Sequence, residues 1–231
     1  LGESHPALAS SLNNVAVIYE KLGDHKSAQF FYNKSLQIRR SKFGENHIDV
    51  AQSLQNLGSL YKYMGDYNMA ETYYQKSLDI YKLKLGEKHP KFASVLMSIG
   101  FLYRIRGDYK TTELLYKQCL SIEKKAYGEE HPSYASSLKN LGVLYRKMSD
   151  YKAAEPLYKQ SLEIRKKVLG EEHPSYASSL SSLGILYSDM GDYKAAEPLY
   201  KKALDIIRNS LGVNHPSYVS SENSYAYLLS K

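Results

Sequence analysis

The sequence predicts an all-α protein in which antiparallel helix pairs stack into an α-solenoid, and three observations lead to this fold class. Six of the seven histidines recur at a fixed interval of 42 residues. Each interval contains two stretches in which apolar residues have the spacing of one helix face. No stretch shows the alternation of a half-exposed strand. A repeat of this length is typical of arrays whose units bury a core only by stacking. The recurring histidines are His5, His47, His89, His131, His173 and His215.

The first helix of each repeat, here called helix A, follows the histidine. In the fourth repeat Pro132 suits the first helical turn, where a missing N–H costs nothing. Leu138, Leu141, Gly142 and Tyr145 then follow with i, i+3, i+4, i+7 spacing. A mid-helix glycine costs roughly 1 kcal/mol relative to alanine. We therefore expect the glycine to permit close packing against the second helix of the pair.

The second helix, helix B, is predicted from Asp150, which suits an N-cap, to Leu169, after which Gly170 ends it. Ser149 stands in the turn before it, where other repeats have glycine. Because a side chain disfavours a left-handed backbone, this turn is expected to depart from the glycine conformation. Repeated over the chain, the pattern predicts about eleven helices.

The repeat also determines the domain organisation. Five periods and a final half-period predict one array over residues 1–231, with five helix pairs and a terminal helix. The start at Leu1, without an initiator methionine, suggests a piece of a longer protein.

Composition excludes several classes of protein. The chain is 43% apolar and 24% charged, which is enough to form a core. It has no apolar run of about 18 residues, so no transmembrane helix is predicted. One cysteine cannot form an internal disulfide, and a reducing, cytoplasmic setting is expected. The net charge of +7 is spread along the chain, so charge alone leaves the kind of partner open.

Helix A and helix B together resemble the tetratricopeptide repeat pattern. In the second repeat the residues that carry the resemblance are Leu54, Leu57, Gly58 and Tyr61, then Ala70 and Tyr74. The 42-residue period and the link L-G-x-x-H-P, with Asn-Leu-Gly and Ala-Glu-Pro-Leu-Tyr, resemble the kinesin-light-chain-like subgroup, which also includes nephrocystin-type proteins. This resemblance implies a right-handed superhelix whose concave groove is lined by helix A.

Three kinds of chemistry are not expected. Histidines on successive links should lie about 15–20 Å apart, which is too far to share a zinc ion, so they are interpreted as pinning the turn before helix A. Fourteen tyrosines fall at three repeated positions, which indicates packing rather than base stacking. Serines recur with the repeat, and Cys119 replaces a serine or alanine, so no copy stands out as a nucleophile. We therefore predict no enzyme, metal or cofactor.

The candidate site consists of residues of helix A that lie between its packing positions. Helices of repeats two to four carry five basic residues there and no acidic residue. Apolar residues beside them would hold an anchor, and asparagine amides would bind a peptide backbone. The predicted peptide-binding residues are Asn14, Asn56, Lys62, Met97, Phe101, Arg104, Ile105, Lys139, Asn140, Val143, Arg146 and Lys147.

These residues predict a scaffold or cargo-adaptor-like protein that binds an extended acidic peptide with an apolar or aromatic anchor. Kinesin-light-chain-like arrays are similar in recognising cargo segments with an aromatic residue among acids. Two alternatives stay open: an RNA-binding solenoid, and a structural spacer or end-to-end self-association module. A solvated face whose charges have no ligand is the plain interpretation of the same residues. Nucleic acid is not the expected partner, and no membrane contact is expected.

Overall fold

A computed structural model describes residues 5–230, and within that range the chain forms eleven α-helices and no strand. None of the described helices has the combined length and hydrophobicity that crossing a bilayer requires. The all-α class is confirmed. The helices are α1 (Pro6–Lys21), α2 (His25–Phe43), α3 (Ile48–Tyr63), α4 (Tyr67–Leu85), α5 (Pro90–Ile105), α6 (Tyr109–Tyr127), α7 (Pro132–Lys147), α8 (Tyr151–Leu169), α9 (Pro174–Asp189), α10 (Tyr193–Leu211) and α11 (Pro216–Leu229).

The chain divides into two compact units with a boundary after Thr111, and each is described by itself. In the first unit helix A packs against helix B in the pairs α1–α2 and α3–α4, and each helix B also packs against the next helix A. The second unit repeats this arrangement in α7–α8 and α9–α10, with α11 packed against α10. Stacking of helix pairs, as expected for a helical-repeat solenoid, therefore holds within each unit.

The recurring histidines cap helix A. In each repeat the imidazole Nδ1 accepts a hydrogen bond from the backbone N–H two residues later, at 3.0–3.2 Å. The imidazole thus binds one of the N–H groups that lack a partner inside the helix. The expectation that these histidines pin the turn is confirmed. No group of three or more His, Cys, Asp or Glu residues within 5–230 could hold a metal ion.

The mid-helix glycines lie against a buried tyrosine of helix B. A Cβ added at Gly58 would lie 2.6 Å from Tyr74, and one at Gly142 would lie 3.0 Å from Tyr158. The expected close packing is present, and the atoms nearest to the missing side chain belong to these rings. The tyrosine that recurs at this position of the repeat therefore has a packing role, since Tyr74 and Tyr158 are at most 1% exposed.

The repeated serines of helix B are also structural. Ser35, Ser77 and Ser161 each donate a hydrogen bond of 2.7 Å to an alanine carbonyl of helix A. Cys119 occupies the same position and is fully buried. Burial raises the pKa of its thiol, which is therefore protonated at neutral pH.

The turn before α8 corrects one expectation. Ser149 has φ +60°, the left-handed region that glycine occupies at the same point of four other repeats. Its N–H donates to the Arg146 carbonyl at 3.0 Å, and the N–H of Asp150 donates to the Tyr145 carbonyl at 2.9 Å. The turn geometry is thus imposed by the flanking helices, and the serine adopts it at a cost.

Candidate functional site

The predicted site residues fall into two groups, one in each unit. The first-unit surface consists of Asn14, Asn56, Lys62, Met97, Phe101, Arg104 and Ile105, and the second-unit surface consists of Lys139, Asn140, Val143, Arg146 and Lys147. All twelve lie on helix A of their repeats.

Polar side chains connect neighbouring A helices in the first unit. The Asn56 amide donates to Asn13 on α1 at 2.7 Å and accepts from Gln52 at 3.1 Å. Gln55 donates to Ser94 on α5 at 2.7 Å. Asn56 is therefore held in place by its neighbours and keeps one N–H for a ligand. Asn14, by contrast, is exposed.

A cluster of cations around one aromatic ring dominates the first-unit surface. The Phe101 ring lies 5.3 Å from the Lys62 ammonium and 4.9 Å from the Arg104 guanidinium. Lys62 also lies 4.6 Å from the ring of Tyr63, which is 64% exposed. Burial lowers the pKa of Lys62, and the attraction of Glu20 opposes the shift. The rings and cations stabilise one another, so the positive charge is held beside an apolar surface.

The remaining apolar residues of this surface differ in exposure. Ile105 is 41% exposed, whereas Met97 and Phe101 are half-buried. The surface therefore combines apolar area with two positive charges, as a site for an anionic ligand with an apolar group requires.

A cavity of about 510 Å³ opens between α1 and α3 in the first unit. Its wall includes Val17, Tyr32 and Tyr63, with Asn56 and Ser59 as polar groups. Glu20 also lines it and accepts a hydrogen bond of 2.8 Å from the Tyr32 hydroxyl. The volume is within the range of about 300–1,000 Å³ that is usual for ligand pockets. Of the twelve predicted site residues, Asn56 alone lines this cavity.

The second-unit surface is less available than the sequence suggests. Arg146 forms an ion pair of 2.7 Å with Asp189, and Val143 is partly buried against Tyr158 and its neighbours. Lys139 is half-buried and donates to Ser178 at 3.3 Å. Desolvation by burial, together with the charge of Arg165, lowers its pKa to about 8.

Lys147 is the one cation of the second-unit surface that is classed as exposed, while Asn140 is half-buried and makes contacts within the protein. Asp189 is among the groove-facing positions that the pattern predicts for the fifth repeat, but the charge count over repeats two to four does not include it. It stands at the position equivalent to Lys147, one period later, and the sequence gives no signal of its ion pair with Arg146.

The repeats of the chain match a known protein family. A family model described as tetratricopeptide repeat matches residues 7–82, 91–167, 153–209 and 177–231. No curated protein matches the chain.

Several solved structures are similar to the chain. BtubC (BKLC) from P. vanneervenii is 25% identical, with a TM-score of 0.75, over 91% of this chain and 84% of that protein. A protein from Podospora anserina, assigned as a kinesin light chain with nearly identical TPR-like repeats, is 23% identical with a TM-score of 0.69, over 90% and 98%. RapI in its apo form is 18% identical with a TM-score of 0.71, over 96% and 83%. The last two, at below 25% identity, support the fold alone.

Proposed function

The chain belongs to the tetratricopeptide repeat family, whose solenoids bind protein partners, and we propose that its ligand is an extended acidic peptide with an apolar or aromatic anchor. The array would act as a scaffold or cargo adaptor. The likeness to a protein assigned as a kinesin light chain motivates the second role. Repeats of this family are typically non-catalytic, and a cytoplasmic setting is part of the proposal.

The observation that carries the proposal is the ring of Phe101 with two cations, Lys62 and Arg104, within 5.3 Å of its centre. No carboxylate oxygen in residues 5–230 lies within 4 Å of the Lys62 or Arg104 nitrogens. Peptide carboxylates would therefore supply charge-assisted hydrogen bonds, and the Arg104 guanidinium can form two at once. Each exposed pair should contribute about 0.2–1 kcal/mol, so binding should be weak and sensitive to salt.

The cavity between α1 and α3 supports a place for the anchor. Its apolar wall of Val17, Tyr32 and Tyr63 suits an aliphatic or aromatic side chain. Glu20 makes the cavity unfavourable for an acid, whereas Lys62 and Arg104 attract one. The peptide should therefore place its anchor beside Tyr63 and its acids toward α5.

The test is binding of fluorescent acidic peptides, with and without an aromatic residue, to Arg104→Glu and to Lys110→Glu. Lys110 is exposed in the same unit, so its variant makes the same charge change away from the surface. We expect Arg104→Glu to weaken binding at least tenfold and Lys110→Glu to change it less than twofold. Arg146→Glu should have a smaller effect than Arg104→Glu, because Asp189 already pairs with Arg146.

Equal effects of the Arg104 and Lys110 variants would contradict the proposal. Tighter binding of homopolymer RNA than of any peptide, with a steep salt dependence, would favour the RNA-binding alternative. Concentration-dependent sedimentation without peptide binding would favour self-association.

A further inference from the structure

One position near the end of helix B carries a buried arginine in two repeats, and its surroundings differ in charge. Arg39 in the first unit and Arg165 in the second unit occupy equivalent positions, three periods apart. Their exposed fractions are 9% and 5%. Both donate to a backbone carbonyl and to a buried serine on the next helix A. The two arginines thus share the same pair of hydrogen-bond acceptors, and the residues around them can be compared position by position.

Around Arg39 a carboxylate partly offsets the charge. The Arg39 guanidinium donates to the backbone carbonyl of Asp49 at 3.1 Å. Burial lowers the pKa of Arg39, and the attraction of the Asp49 carboxylate opposes that shift. The nearby helix-A position is Asn13, which is neutral. Among the described residues, the first unit therefore has an anion near the cation, without an ion pair within 4 Å.

Around Arg165 both of these positions have changed. Ser175 replaces the aspartate, and Lys139 replaces the asparagine. Arg165 donates only to uncharged groups, namely the Ser175 carbonyl at 3.0 Å, the Ser179 hydroxyl at 2.8 Å and the Ser136 hydroxyl at 3.0 Å. Ser136 lies one helical turn before Lys139 on α7, so Arg165, which donates to Ser136, lies near Lys139. The second unit thus has two cations near each other where the first has a cation near an anion.

No carboxylate compensates this pair. In the described part of the second unit, no carboxylate oxygen lies within 4 Å of Lys139 or Arg165. Burial lowers the pKa of Lys139, and the charge of Arg165 lowers it further. Buried cations of this kind are normally paired, because desolvation without a partner is costly.

The group around the pair can bind a ligand. Lys139 reaches the Ser178 hydroxyl at 3.3 Å, and Arg165 reaches the Ser136 hydroxyl at 3.0 Å. Ser136, Lys139 and Ser178 are all half-buried, so they border the solvent. An ammonium and a guanidinium, each next to a hydroxyl group, are donors of the kind that bind phosphate or carboxylate oxygens.

We propose that Lys139 and Arg165, with Ser136 and Ser178, form an oxyanion site in the second unit that the ligand completes. The oxyanion is a phosphate or a carboxylate. That it belongs to a peptide follows only from the proposed function. A phosphate monoester matches the two positive charges best, since it carries nearly two negative charges at neutral pH.

The experiment measures binding of inorganic phosphate and of acetate to the whole chain by calorimetry, at matched ionic strength in chloride. Three variants are compared. Lys139→Met removes one cation, and Met97 stands at the equivalent position of the third repeat. Ser175→Asp recreates the arrangement around Arg39. An aspartate is compatible with the histidine cap at this position, because the N–H of Asp49 donates to His47 as the N–H of Ser175 donates to His173. Lys152→Met is the control, because it removes an exposed cation of the helix that carries Arg165.

We expect one anion per chain, with binding weakened at least tenfold by Lys139→Met and by Ser175→Asp and less than twofold by Lys152→Met. Stronger binding of phosphate than of acetate would assign the source as a phosphate group, and the reverse order would assign a carboxylate. Failure of both anions to bind the wild type, or equal binding by wild type and Ser175→Asp, would overturn the proposal.

The outcome is separable from that of the peptide proposal. Arg104→Glu should leave phosphate binding unchanged because Arg104 belongs to the first unit. Loss of peptide binding with retained phosphate binding would count against the proposed function alone.

Discussion

Replacing the mid-helix glycines by alanine should destabilise the array by an amount that follows the space beside each glycine. The three distances from the added Cβ to the nearest ring atom are 2.6 Å at Gly58, 3.0 Å at Gly142 and 3.3 Å at Gly184. A Cβ at 2.6 Å overlaps the ring, and the fully buried Tyr74 has little freedom to move. At 3.3 Å a shift of a few tenths of an ångström removes the overlap.

Two opposing contributions determine the sign of each change. Alanine is favoured over glycine in a helix by roughly 1 kcal/mol. Overpacking a core costs about 1–3 kcal/mol, and the cost rises with the overlap. We therefore expect Gly58→Ala to lower the free energy of unfolding by about 1–2 kcal/mol, Gly142→Ala to be nearly neutral, and Gly184→Ala to raise it by up to about 1 kcal/mol.

The assay is urea denaturation followed by far-UV circular dichroism, with hydrogen exchange to localise the change to one repeat. The first repeat provides an internal control, because Ala16 already occupies the equivalent position and is fully buried. Ala16→Gly should therefore lower stability by about 1 kcal/mol. Equal effects at the three glycines, or the reverse order, would refute the packing argument.

Three further changes test other features. Ser149→Gly should raise the free energy of unfolding by about 0.5–1 kcal/mol in denaturation curves, because relief of the left-handed strain exceeds the added freedom of the unfolded chain; no gain would contradict that strain. Pro156→Leu should raise the midpoint of thermal unfolding, because leucine restores a hydrogen bond inside α8 that proline cannot make. Leu114, at the equivalent position of the third repeat, is 66% exposed, so a leucine at this position does not depend on a packing partner. An unchanged midpoint would argue against this effect. The lowered pKa of Lys139 means that its charge opposes folding below about pH 8, so stability should rise between pH 8 and about 10.5 in phosphate-free buffer. Lys139→Met should remove that rise and add about 1–3 kcal/mol at pH 7, whereas a parallel pH profile would contradict the assignment.

Much of the fold is predictable from the sequence because the periodicity is carried by residues with one clear role each. His131 and Asp150 mark the starts of the two helices in their repeat, and Gly170 marks the end of the second. Ser149 could not be predicted in the same way, because the flanking helices determine its backbone conformation.

The site residues are less predictable, because a helical pattern identifies the face on which a residue lies and says little about how deeply its side chain is buried. Lys139 lies on the expected face, but the burial that lowers its pKa depends on the neighbouring repeat. The partner of Arg146 is 43 residues away. Comparison of equivalent positions in different repeats identifies Lys139 and Asp189 as departures from the pattern without revealing their contacts, and the same comparison indicates the charge difference around Arg39 and Arg165.

The residues around Arg39 also mean that the repeats are not interchangeable modules. Deletion of one full period after α2 would preserve the helical pattern and the links. It would, however, bring Arg39 against the helix that carries Lys91 and Val95 at the positions of Asp49 and Ser53. A buried cation would then meet a second cation and lose its hydroxyl acceptor, which is unfavourable on both counts. The contacts of Arg39 are thus favourable only when α3 is the helix A that follows α2. This dependence disfavours misfolded states in which similar repeats exchange places.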